Sequence, residues 1–243
     1  MLAATAMAAL VAAMAGCASS SAGTKSTSDG SPGLVIINTS KYDGNLIPDT
    51  AKPAATLTDD AGKSFNIRAM TKGTVTLLFF GYTHCPNECP LTMANTAAAL
   101  RMMPAAEAAK VKVLFVSVDP GRDTLARLHS WLGNFYPSFT GLRTPLSAVE
   151  ALERQVGLPI GQTFKDPAGE AQLDHATEMF AYSTDNVAHE AFFPSTPPAQ
   201  IAHDHKLQVT GPHPRPVTRL TRARLKDQRL APPRKLRHWR SLR

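Results

Sequence analysis

The chain has 243 residues, 43% of them apolar and 19% charged, with 15 Gly, 19 Pro and three Cys. That length allows one or two domains with an ample core. Three cysteines exclude a disulfide-rich scaffold, and the composition excludes a collagen-like or multi-span membrane protein. The formal net charge of +7 is confined to one end: from Lys206 onward 12 Lys and Arg face a single Asp, whereas the first 205 residues hold 14 Lys and Arg against 18 Asp and Glu, a net of −4. The mildly acidic body is therefore not expected to take a nucleic-acid partner.

Met1 to Gly16 is an uncharged run, MLAATAMAALVAAMAG, followed by Cys17. Sixteen residues fall short of the ~20 that cross a bilayer as a helix, and the run suits the apolar region of a secretory signal. Met14-Ala15-Gly16-Cys17 resembles a bacterial lipobox, which makes Cys17 the expected lipid-attachment residue. Residues 17–50 then read as the lipidated cysteine and a polar tether. An ordinary secretory signal with an incidental cysteine is the plainer alternative. No Lys or Arg precedes Lys25, so the true start is expected upstream of Met1.

From Ala51 to His205 strand and helix patterns alternate. Ala54–Thr58 and Ser64–Ile67 flank a turn at Asp59-Asp60-Ala61-Gly62 and read as a hairpin. VTLLFF (75–80) and VKVLFVSV (111–118) are apolar runs of strands buried on both faces. Leu91–Met103, ending at Pro104, reads as a helix. Thr124–Phe135 reads as another, with Asp123 able to cap it. Ser147-Ala148-Val149-Glu150 has capping-box spacing for a helix to about Val156. Thr177–Ser183 and Val187–Phe193 form a late hairpin around Asp185-Asn186. This order predicts an α/β, thioredoxin-like fold: a central mixed sheet flanked by helices.

Residues 206–243 are rich in Arg and Pro with no sustained apolar periodicity. Three readings stay open for them: a tail for nucleic acid or anionic lipid, a solvated disordered extension, or translation past a frameshift. No function is assigned to this stretch.

The chemistry concentrates in Gly81-Tyr82-Thr83-His84-Cys85-Pro86-Asn87-Glu88-Cys89-Pro90, between a buried strand and a helix. Strand ends of this kind hold the ligand sites of α/β sheets. Pro90 suits the first position of the helix, which places Cys89 at its N-terminus, where the dipole favours thiolate. Cys85 and Cys89 then admit dithiol–disulfide exchange, a soft site that prefers Cu(I), or a plain structural disulfide. A cupric site needs a third donor, ideally imidazole. His84 points to the opposite side of an extended chain, and His129 lies in a predicted helix. His189 occupies the late hairpin, and His203, His205, His213 and His238 lie near or in the tail. His175 is left, on the loop entering the late hairpin, where a lone histidine is usually just solvated.

The segment Tyr82–Pro90, followed by Val118-Asp119-Pro120-Gly121-Arg122-Asp123-Thr124 and then Asp174-His175, resembles the Sco/SenC family over about Thr56 to His205. The resemblance implies a thioredoxin-like fold binding one copper ion, Cu(I) or Cu(II), through Cys85, Cys89 and His175. Cys85 and Cys89 would also be the redox pair. It implies a metallochaperone rather than an enzyme, one that builds the binuclear copper centre of cytochrome c oxidase subunit II by delivering copper or by reducing that subunit's cysteines. Another copper chaperone would serve as donor, and Cys17 would hold the protein at the extracytoplasmic face of a bacterial cell membrane. The alternatives are an extracytoplasmic thiol–disulfide oxidoreductase without a metal role, or a peroxidase using Thr83 and an arginine such as Arg122. Asp119 is expected either to approach the ligands or, more plainly, to shape its turn with Asp123. The family continues past the late hairpin with a strand and a closing helix; here that helix is expected to be cut short near His205.

Overall fold

The computed structural model describes residues 42–210; the expectations for the leader, for Cys17 and for residues 211–243 lie outside them. The core is an eight-stranded mixed sheet in the order β1-β10-β9-β4-β5-β6-β2-β3. Its centre is β4 (Val75–Gly81), flanked by β5 (Val111–Ser117) in parallel and β9 (Met179–Tyr182) in antiparallel pairing. Every residue of β4 is buried, so both faces of the sheet are covered there, as the unbroken apolar run implies. Each Leu or Phe so buried contributes about 1.5–3 kcal/mol by removal from water.

The helix α2 (Glu88–Met102) and the short α3 (Ala105–Ala108) form the crossover from β4 to β5. A second crossover, α4 (Leu125–Gly133), leads to the parallel strand β6 (Thr140–Arg143), which sequence patterning does not show. The early hairpin is present as β2 (Thr56–Asp59) and β3 (Ser64–Asn66), attached to β6 at the sheet edge and followed by the short α1 (Ile67–Met70). Two expected caps are corrected. Thr124, not Asp123, caps α4 by accepting the Arg127 N–H. α5 (Leu146–Val156) begins behind Pro145 without a side-chain cap, so Ser147 lies inside its first turn. Gly157, at φ 80°, ends α5 in the left-handed conformation that glycine adopts without strain.

β1 (Asn45–Ala51) pairs antiparallel with β10 (Val187–Phe192), which pairs with β9 as the late hairpin. The sheet therefore starts within the stretch read as tether. At the other end α6 (Pro198–Thr210) continues past His205, so the expectation of a truncated closing helix is corrected. Its Asp204 carboxylate is buried and accepts the backbone N–H groups of Asp43 and Gly44. Its Gln208 amide donates to Glu190 of β10. These contacts hold the helix to the residues leading into β1 and to β10.

A separate two-stranded sheet, β7 (Gln162–Lys165) with β8 (Ala171–Asp174), lies between α5 and β9. It leads to the histidine of interest: His175 directly follows β8 on the loop that runs on to β9, at the entry of the late hairpin as the sequence suggests, with the small hairpin as its immediate support.

Candidate metal centre

Cys85 lies in the loop leaving β4, with its N–H donated to the Tyr82 carbonyl at 3.2 Å. Cys89 is in the first turn of α2, fully buried, and donates its backbone N–H to Cys85 Sγ at 3.5 Å. Both are free thiols. His175 Nε2 lies 3.5 Å from Cys89 Sγ. One donor atom from each of Cys85, Cys89 and His175 falls within 4.8 Å of the others. The fold thus closes a gap of 86 positions and unites the three residues singled out from the sequence.

The imidazole is oriented for coordination. His175 Nδ1 meets the Ala176 carbonyl at 2.7 Å; because a carbonyl only accepts, Nδ1 carries the proton. In the neutral ring Nε2 then presents its lone pair to the sulfurs. Tyr82 and Phe79 pack edge-on around the ring, with centroids at 5.4 and 6.1 Å.

The two thiols differ sharply. Hydrogen bonding from Cys89, supported by His175 and by the backbone N–H groups of Cys89 and Asn87, pulls the half-exposed Cys85 thiol down to about 3 against the cost of burial. Burial, followed by the hydrogen bond and charge of Cys85, pushes Cys89 well up. The expectation that the helix dipole makes Cys89 the thiolate is therefore corrected: desolvation inside the first turn outweighs the dipole, and the thiolate resides on Cys85. Burial alone would lower His175, but its hydrogen bond to Cys85 and that to Ala176, with the nearby charges, raise it.

Asp119 does not join the ligands; its carboxylate accepts from Arg122 Nε, and its carbonyl accepts the N–H groups of Arg122 and Asp123 in the turn. Sequence reading passed over the larger role of Asp123. That carboxylate is fully buried and accepts the Thr83 N–H, the Thr83 hydroxyl at 2.6 Å and the Ser117 hydroxyl at 2.7 Å. Arg127 Nε donates to the same Thr83 hydroxyl at 2.8 Å. The network ties the motif loop to the end of β5, and it commits Thr83 to Asp123 rather than to a peroxidatic centre.

Among the other histidines, His84 turns toward Thr83 and Asp123, His129 toward Asp60, and His189 bridges Asp49 and Asp185. Glu153 was also passed over. It is buried on α5, its charge is felt at His175, and burial raises its pKa. The signal was available, because Glu153 falls on the apolar stripe of Val149, Leu152 and Val156.

Two thiol sulfurs and an aimed imidazole nitrogen suit a soft or borderline metal such as copper. Gly81 leaves the room: a Cβ there would stand 2.8 Å from Cys89 Sγ. Fold and site together define a thioredoxin-like domain with two cysteines and a histidine gathered, in an arrangement that could hold a metal ion, at the carboxyl end of a buried strand.

The chain belongs to the SCO1/SenC family, whose profile matches residues 48–210. A putative copper-binding protein of Stutzerimonas stutzeri is 30% identical over 132 residues, 54% of this chain and 62% of that protein. The mitochondrial SCO1 homolog 1 of Arabidopsis thaliana is 29% identical over 131 residues, 54% of this chain and 38% of that protein. The chain thus spans under two thirds of the length of these relatives. Among solved structures, copper-bound ScoI of Bradyrhizobium japonicum is 30% identical with a TM-score of 0.58, covering 65% of this chain and 98% of that one. Yeast Sco1 with copper bound, at 20% identity and a TM-score of 0.60, covers 68% and 91% and attests the shared fold.

Proposed function

We propose that this chain binds one copper ion through Cys85, Cys89 and His175 and serves as a metallochaperone for the binuclear copper centre of cytochrome c oxidase subunit II. The observation that carries the copper reading is the convergence of two sulfurs and the Nε2 lone pair within 4.8 Å. The copper-bound relative and the copper-binding relative support the choice of metal. The family resemblance supplies the target, with another copper chaperone as donor. Lipid attachment at Cys17 would hold the domain at the extracytoplasmic face of a bacterial cell membrane, where its target's copper centre would be assembled.

Copper is the cargo: thiolates hold the cuprous ion, and the imidazole nitrogen adds more to the cupric one. The same dithiol can prepare the recipient. The Cys85 thiolate attacks a disulfide of the target and forms a mixed disulfide. Cys89, on losing its proton, then attacks Cys85 Sγ and expels the second target sulfur. Two electrons pass to the target, its two sulfurs leave as thiols, and a Cys85–Cys89 disulfide remains. In a metal-free exchanger His175 would only add to the support that Cys89 and two backbone N–H groups already give the Cys85 thiolate, whereas a cupric site needs its nitrogen as a third donor, which favours the copper reading over the oxidoreductase alternative.

Anaerobic copper titration tests this. The full chain is expected to take one equivalent of copper in either oxidation state, and Cys85→Ser or Cys89→Ser to abolish tight binding. His175→Ala is expected to bleach the thiolate-to-Cu(II) absorption while keeping Cu(I). A His175→Ala spectrum identical to that of the unmodified protein defeats the assignment.

A further inference from the structure

The β7–β8 hairpin that delivers His175 is a two-stranded sheet apart from the main one, and every residue of β7 is exposed. A hairpin of this size has little stability of its own. Its placement comes from contacts with the main body: Leu173 packs against the core, and two side chains from the rim of the main sheet add hydrogen bonds to β8.

Tyr82, directly after β4, reaches across with its hydroxyl. That oxygen donates to Gln172 Oε1 at 3.0 Å and accepts the Leu173 N–H at 3.2 Å. Arg122, in the turn after β5, donates to the Ala171 carbonyl at 3.0 Å. The Asp119 carboxylate accepts from Arg122 Nε, and the guanidinium lies over the Tyr82 ring, 5.7 Å from its centroid. The three hairpin residues held are thus 171, 172 and 173, immediately ahead of His175. Tyr82 also touches both halves of the donor set: its carbonyl accepts the Cys85 N–H, and its ring meets the His175 ring edge-on.

We infer that Tyr82 and Arg122, with Asp119 steadying the guanidinium, are positioning residues that hold the β7–β8 hairpin so that His175 stays within reach of the two sulfurs. This deepens the copper reading and rests on it for its consequence. With the hold released, the thiols remain together on the β4–α2 loop while the imidazole drifts away. A cuprous site survives that change and a cupric site does not. Asp119 thereby acts on the third ligand through Arg122.

The test compares the full chain with Tyr82→Phe, Arg122→Gln and the double variant, with thermal unfolding confirming that each folds. Tyr82→Phe keeps the ring and removes only the hydroxyl. In the metal-free protein, amide exchange at Leu173 is expected to accelerate about tenfold in Tyr82→Phe, in keeping with one lost hydrogen bond. Nuclear Overhauser contacts between the His175 ring and the Cys89 β-protons are expected to weaken in the double variant. On titration, Cu(II) affinity is expected to fall roughly tenfold per lost contact, with Cu(I) affinity within about twofold of the parent. Unchanged Leu173 exchange and unchanged ring contacts in the double variant overturn the inference, as does an equal loss of Cu(I) and Cu(II). If the parent protein binds no copper, the proposed function fails, while the exchange and ring contacts still decide whether these residues position His175.

Discussion

Gly81 and Cys89 stand so close that a methyl group on Gly81 would lie 2.8 Å from Cys89 Sγ. The same methyl would meet the Phe79 ring at 2.6 Å and the Phe115 ring at 3.0 Å, and both rings are fully buried. Nothing there yields cheaply except the thiol. Gly81→Ala is expected to cost about 1–3 kcal/mol of stability, the usual range for overpacking, and to push the sulfur off its position opposite His175. Chemical unfolding and copper titration check the two effects. An alanine variant of parental stability and copper affinity would show that the crowding is relieved without moving the sulfur.

The division of labour between the thiols has its own readout. Cys85 is half-exposed and held at about 3 chiefly by hydrogen bonding from Cys89, whereas Cys89 is fully buried and pushed up. Iodoacetamide is expected to modify Cys85 first, at a rate nearly flat between about pH 5 and 8 because the thiolate fraction stays saturated there. Peptide mapping by mass spectrometry identifies the modified residue. Cys89 modified before Cys85 would reverse the proposed order of attack on a target disulfide.

The central sheet and the cysteine pair were legible in the sequence because each has a local cause. Unbroken apolar runs of six to eight residues rich in Val and Phe suit strands covered on both faces, and the motif loop sits between such a run and a helix. β6, β7 and β8 were not legible: each has four residues, and β7 buries none of them, so no alternation marks it. Asp123 and Tyr82 stood inside the motifs, but their roles depend on partners 40 to 91 positions away. Residues 45–50 and 206–210 were assigned to a tether and a tail because composition changes near them. Their structure is set instead by pairing with β10 and by packing of α6.

Those two ends make a prediction about boundaries. A chain stopped at His205 loses Lys206 to Thr210, and with them the Gln208 amide that donates to the buried Glu190 carboxyl. Removing one partner of a buried hydrogen bond costs about 1–3 kcal/mol, and the frayed last turn adds to it. The shorter chain is therefore expected to unfold at a lower temperature than one ending at Thr210. A start at Ala51 should weaken it further, since β1 and the Asp204 contacts to Asp43 and Gly44 are then missing. Equal melting temperatures for the 42–210 and 51–205 chains would show these terminal contacts to be idle.

The same corner contributes to how the stability of the fold changes with pH. His205 is wholly buried against the Phe192 ring, and burial lowers its pKa from the usual 6.5 to about 3. The folded chain therefore keeps this ring neutral while the unfolded chain protonates it, so stability falls as pH drops from about 6.5 toward 3, at up to ~1.4 kcal/mol per pH unit. Glu190 acts in the opposite direction. Burial, then the neighbouring Asp204 charge, raises its carboxyl well above 4.5, so the folded state holds a proton that the unfolded state releases. Its contribution is complete below about 4.5 and declines as pH rises toward the folded-state value. Replacing the ring in His205→Phe is expected to flatten the fall in melting temperature below about pH 6.5, and Glu190→Gln to flatten the decline that its raised carboxyl causes above about 4.5. The two contributions change with pH in opposite directions, so each substitution should leave the other's slope in place; a His205→Phe profile that still falls as steeply below pH 6.5 would assign that fall to other groups.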